Sequence, residues 1–156
     1  DWLFEASPKD RSMLIEKTTA NAVRMRWLQK AIPNSYFIGV VRNGFAVAEG
    51  IRRKGNKDIA RAARHWMKVN EMMQSDSQLV RNFMQLRYED IVGTPLLVLA
   101  RVAKFLGQSL ELPVGSSVFN DLVNMNENSF TRLTKDDREA VLAEAGPMLR
   151  ALGYAA

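Results

Sequence analysis

Tyr36-Phe-Ile-Gly-Val-Val-Arg42-Asn-Gly-Phe-Ala-Val-Ala-Glu-Gly50-Ile-Arg-Arg-Lys54 changes character halfway along. Residues 36–41 form a short apolar run of β-branched and aromatic side chains, with Pro33-Asn34 just upstream. Such a run predicts a strand buried on both faces. Asn43-Gly44 then supplies turn chemistry, and Phe45, Val47, Ala48 and Ile51 recur at helical spacing. The helix is expected to close on Arg52-Arg53-Lys54-Gly55, with cations in the last turn and a glycine just after them. A guanidinium at such a junction makes an anion site, because Arg42 offers a fork of donors beside the free amides of a helix N-terminus.

The flanking sequence predicts alternating elements. Residues 12–16 read as a second buried strand ending in Glu16-Lys17. Thr18 or Thr19 is placed to cap a helix whose apolar stripe is Ala20, Val23, Trp27, Leu28 and Ala31, stopped by Pro33. Strand, helix and strand in that order imply a βαβ unit with parallel strands. Downstream, residues 58–74 predict a longer helix with Ile59, Ala62, Ala63, Trp66, Met67, Asn70 and Met73 on one face. Residues 79–86 read as a third strand, running into Arg87-Tyr88-Glu89-Asp90. Thr94-Pro95 opens a helix that Gly107 ends, with Leu96, Leu99, Ala100, Ala103 and Leu106 as its buried face. Residues 108–131 are poorly patterned and rich in Asn, Ser and Gly, the composition of a loop. Thr134 caps a final helix, with Asp136 and Asp137 in its first turn and Gly146-Pro147 expected to bend or break it.

With 156 residues and 47% hydrophobic content, the chain can build one core, and a single domain over 1–156 is expected. It contains no cysteine, which excludes disulfide scaffolds, thiolate metal sites and cysteine nucleophiles. No apolar run approaches the roughly 20 residues of a membrane-spanning helix, and a cytoplasmic location is the expectation. The formal net charge of +5 is densest at Arg52-Arg53-Lys54 and on through Lys57, Arg61 and Arg64. That patch could attract polyanions, or could be a solvated helix end. His65, the only histidine, sits mid-helix beside Trp66, away from the strand ends where α/β folds gather ligands, and reads as structural.

Taken together, Glu16-Lys17-Thr18-Thr19, Arg42-Asn43 and Arg87-Tyr88-Glu89-Asp90-Ile91, in this order, resemble the sulfotransferases that use 3′-phosphoadenosine 5′-phosphosulfate (PAPS), particularly their bacterial and carbohydrate-directed branch. The likeness runs from about Leu14 to Gly107, and more loosely to Gly153-Tyr154. It implies an α/β, three-layer, P-loop-NTPase-like fold with a mostly parallel sheet flanked by helices. It also implies transfer of a sulfuryl group from PAPS to a hydroxyl or amine of a carbohydrate or small molecule, with no metal and no nucleic-acid partner. In that family a glycine-containing loop cradles the 5′-phosphosulfate. No glycine precedes Gly39, so either the first strand and that loop lie in a segment ahead of this sequence, which is the expectation, or the 5′ half of the site does not exist.

The resemblance also assigns roles. Arg42 matches the arginine that grips the 3′-phosphate. Gly50 stands where the family usually has a serine on the same helix and could contribute only room or backbone, with Arg53 a possible substitute. Lys17 matches a lysine at the edge of the donor and acceptor sites, with Glu16 either a base or an anchor for Lys17 and Arg24. Asn126, Asn128 and Arg132 fall where the family often folds a loop over the nucleotide. Glu89 and Asp90 follow a strand end, where carboxylates commonly cap the next turn. Two rivals stand beside this reading: another P-loop transferase such as a small-molecule kinase, and a non-catalytic basic module that binds polyanions through residues 52–64.

Overall fold

The computed structural model describes residues 13–109, 119 and 121–154. The turn read in residues 1–11, the first residue of the strand expected over 12–16, and part of the loop expected over 108–131 lie outside the described residues. Two strands, β1 (Phe37–Val41) and β2 (Phe83–Arg87), pair in parallel, with Phe37 opposite Phe83 and Val41 opposite Arg87. Between them run helices α2 (Gly44–Gly55) and α3 (Ile59–Ser77). A 3-10 turn (Thr19–Val23) and α1 (Met25–Ala31) precede β1. After β2 come α4 (Tyr88–Gly93), α5 (Pro95–Phe105), α6 (Asn126–Phe130) and α7 (Lys135–Ala151). This is an α/β fold with a parallel sheet and helices around it, as the sequence implies.

The core forms where α2, α3 and α7 meet one face of the sheet. Val41, Ala48, Ala63, Trp66, Val141, Ala145 and Leu149 are all buried there. Each side chain of Val or Leu size removed from water in this way contributes roughly 1.5–3 kcal/mol. Asp58 caps α3 by accepting from the Arg61 amide at 2.9 Å, and the buried Asn70 amide donates to the Trp66 carbonyl at 2.8 Å. Thr134 and Asp137 form a reciprocal capping box at the start of α7, which continues unbroken past Pro147.

Several expectations change in detail. β1 is buried on one face only: Phe37 and Val41 face the core, while Ile38 and Val40 are 39% and 53% exposed. A continuous apolar run cannot say which of its two faces a helix covers, and here α3 covers the Phe37 side, where Met73 meets Gly39. Residues 13–16 form no strand, and Ile15 is 81% exposed, so the parallel partner of β1 is β2. The stripe proposed after Thr18 is also displaced. Met25 is the buried residue of α1, while Trp27 is 64% exposed and the Thr18 side chain makes no cap. On α5 only Val98 is buried, and Leu96 and Ala100 face outward. The left-handed residue closing α2 is Asn56, not Gly55.

Candidate active site

Chemistry-bearing side chains collect where β1 hands over to α2. The backbone there is fixed first. The Arg42 carbonyl accepts from the Trp66 indole N–H at 3.1 Å. A Cβ on Gly44 would lie 2.9 Å from two Trp66 ring carbons and 3.0 Å from Leu149, so only glycine lets the helix start this close to the core. Asn43 caps α2, its side-chain oxygen accepting from the Phe45 amide at 3.0 Å. The Asn43 amide points the other way, donating to Glu89 Oε1 at 3.1 Å.

On this frame the half-buried Arg42 side chain is held at two places. Its Nε donates to Asn126 Oδ1 at 2.7 Å, and its guanidinium carbon lies 4.4 Å from the centre of the Tyr88 ring. Stacking of this kind suits a guanidinium, which is planar and weakly hydrated. Among the described residues Arg42 forms no ion pair, and its two terminal nitrogens donate to no protein group.

Asn126, only 4% exposed, donates from Nδ2 to Glu89 Oε1 at 2.6 Å. Its orientation is dictated by chemistry, since the amide oxygen must face the arginine and the amide nitrogen the carboxylate. Glu89 Oε2 accepts from the Tyr154 hydroxyl at 2.9 Å. Burial pushes the Glu89 carboxyl up, but hydrogen bonds from its own backbone amide, Asn126, the Asn43 amide and Tyr154 outweigh it and hold the group below the usual glutamate range. Burial and the Glu89 carboxylate both raise the Tyr154 phenol well above the ordinary tyrosine value. A second cation–ring pair lies alongside, with Arg87 4.4 Å from the centre of the Tyr154 ring. The Tyr88 hydroxyl accepts from the Met125 amide at 3.1 Å and donates to the Val123 carbonyl at 3.2 Å, pinning the segment that leads into α6.

The other sequence-derived candidates lie apart from this cluster. Glu16 and Lys17 are exposed. Glu16 accepts from the Asn21 side chain rather than pairing with Lys17 or Arg24. Gly50 is half-buried on α2, with open space where a side chain would project. Arg53 donates to the buried Glu49 at 3.2 Å, and Arg132 lends only its carbonyl, to Arg52 at 3.1 Å. Arg52 is further paired with Asp137 at 2.6 Å, and Arg64 with Glu144. Much of the basic patch is therefore compensated within the molecule. Among the described residues no group of three or more His, Asp or Glu side chains could hold a metal ion, and no helix is long and apolar enough to cross a membrane.

The sequence assigns no role to Tyr88 within its motif or to Tyr154, and it presents Glu89 as a local cap. The one available signal was the Arg87-Tyr88-Glu89-Asp90 run at a strand end, paired with an asparagine-rich segment that nothing local required.

Comparison with known proteins bears on the family and the fold. A family model described as "Sulfotransferase family" matches residues 1–111. The sulfotransferase domain from the curacin biosynthetic pathway has the same fold, with a TM-score of 0.65 at 20% identity. The alignment covers 94% of this chain and 64% of that one, so the chain spans less than two thirds of the domain it matches. No curated protein matches.

Proposed function

The chain belongs to the sulfotransferase family, and on that premise we propose that it transfers a sulfuryl group from PAPS to a hydroxyl or amine on a carbohydrate or small molecule. The observation that carries the reading is Arg42: a guanidinium at a strand–helix junction, stacked on Tyr88, held through Nε alone and paired with no carboxylate among the described residues. A doubly charged phosphate ester is the ligand such a fork fits, because two parallel N–H donors match two phosphate oxygens. The donor set therefore suits the 3′-phosphate of the nucleotide.

PAPS would supply the electrophilic sulfuryl group, and sulfuryl transfer, like phosphoryl transfer, leaves the protein mainly positioning and charge stabilisation to perform. Arg42 grips the 3′-phosphate and so fixes the nucleotide against the sheet. Tyr88 walls off one face of that guanidinium. Gly50 leaves room along α2; Arg53 would have to leave Glu49 to reach the nucleotide, and Arg132 would add positive potential from beyond the cluster. Lys17 stabilises sulfuryl oxygens or orients the acceptor, and Glu16 is the candidate base for the acceptor proton.

Calorimetric titration tests this reading. Adenosine 3′,5′-bisphosphate, ADP with Mg²⁺, and heparin are each titrated into the wild type and Arg42→Ala. Selective binding of the bisphosphate, lost in Arg42→Ala, is the expected result. Preference for ADP with Mg²⁺ would hand the site to a kinase, and salt-sensitive heparin binding indifferent to Arg42 would hand it to a polyanion module.

A further inference from the structure

We infer that Asn126 and Glu89 are positioning residues for Arg42, a buried relay that fixes the guanidinium while keeping its charge available to a ligand. This rests on the reading of Arg42 as the grip on a 3′-phosphate.

The geometry separates orientation from neutralisation. A carboxylate touching Arg42 would orient it well, but would also take two of its donors and cancel its charge. Here a neutral amide stands between them. Asn126 Oδ1 takes only Nε, and Asn126 Nδ2 passes the contact on to Glu89 Oε1 at 2.6 Å. The same carboxylate oxygen accepts from the Asn43 amide, so one atom fixes both the backbone next to Arg42 and the side chain that holds it. Glu89 is itself braced by Tyr154, and Asn126 by its backbone N–H donating to Asn124 Oδ1 at 3.0 Å. With Tyr88 on one face and Asn126 on Nε, the edge formed by the two terminal nitrogens is the part of the fork left for a ligand.

The relay makes a distinctive prediction for Asn126→Asp. This change keeps an oxygen facing Nε, so a residue that merely props Arg42 would tolerate it. A residue placed there to spare the charge would not, because the new carboxylate neutralises Arg42 and repels Glu89. The test measures affinity for adenosine 3′,5′-bisphosphate and for adenosine 5′-monophosphate, which lacks the 3′-phosphate. Asn126→Asp is expected to weaken the bisphosphate by about tenfold or more, and the monophosphate by no more than about twofold, in line with the worth of hydrogen bonds to charged groups. Glu89→Ala is expected to follow it, while Glu89→Gln, which keeps an oxygen toward Asn126 and Asn43, stays within about threefold of wild type.

If Arg42→Ala loses the bisphosphate while Asn126→Asp binds it like wild type, the relay is wrong and the reading of Arg42 stands. If Arg42→Ala binds it like wild type, the reading of Arg42 fails and the relay with it. Equal losses for both nucleotides, or an Asn126→Asp protein that does not fold, would assign the pair to stability alone and overturn the inference.

Discussion

Tyr154 donates its hydroxyl to Glu89 Oε2 at 2.9 Å, tying the turn after α7 to a carboxylate 65 residues earlier. The bond favours the ionised form of Glu89, whose pKa lies below the usual value in the folded protein. The sign follows from linkage. Stability from a depressed carboxylate is present above the unfolded pKa and is lost as pH falls through the folded one. Tyr154→Phe is therefore expected to cost about 1 kcal/mol near neutrality, the usual net worth of such a bond. The difference between wild type and variant should shrink on acidification. Denaturant unfolding across the acidic range checks this, and a difference that stays constant or grows as pH falls would contradict it.

The approach of α2 to the core predicts a steric penalty at Gly44. A methyl group there meets Trp66 and Leu149, both buried and unable to swing aside. Gly44→Ala is expected to destabilise by about 1–3 kcal/mol despite the better helix propensity of alanine. Equilibrium unfolding of the variant reads this directly, and unchanged or increased stability would show that the helix can shift outward.

Gly50 predicts the opposite. Nothing lies within 4 Å of where its side chain would project, and the residue sits inside a helix. Gly50→Ala should stabilise by about 1 kcal/mol and Gly50→Ser by about half as much, since both remove a helix-interior glycine. If the 3′-phosphate reaches this turn, the serine variant alone should also tighten adenosine 3′,5′-bisphosphate. Equal affinities for the alanine and serine variants would place the phosphate elsewhere.

How far the sequence could be read followed how local each signal was. The β1–α2 junction was legible because its apolar run, its Asn-Gly and its helical spacing all lie within a few residues of one another. The Thr134 cap was legible for the same reason. What failed was information about neighbours. Neither the exposure of Ile38 and Val40 nor the outward turn of Leu96 is written in its own segment, because each depends on which face another helix covers. Residues 13–16 carry a strand-like composition but have no pairing partner among the described residues, and composition alone does not make a ladder. In the candidate site Arg42 was visible as a cation at a strand end. Its link to Asn126 was not, because that residue, placed near the nucleotide by the family resemblance alone, lies 84 residues away, and Glu89 has the look of an ordinary helix-start carboxylate. The pairing of Arg52 with Asp137, 85 residues on, was likewise hidden in the basic patch.

The hydrogen bond from the Trp66 indole to the Arg42 carbonyl anchors the peptide behind the guanidinium to the core. Under the proposed function, nucleotide capture at this end of the strand would involve little reorganisation, because the entropy cost of ordering that peptide is met when the chain folds. Differences in affinity between nucleotides would arise from how each ester meets a rigid fork, and hardly at all from how far the protein has to bend to reach it.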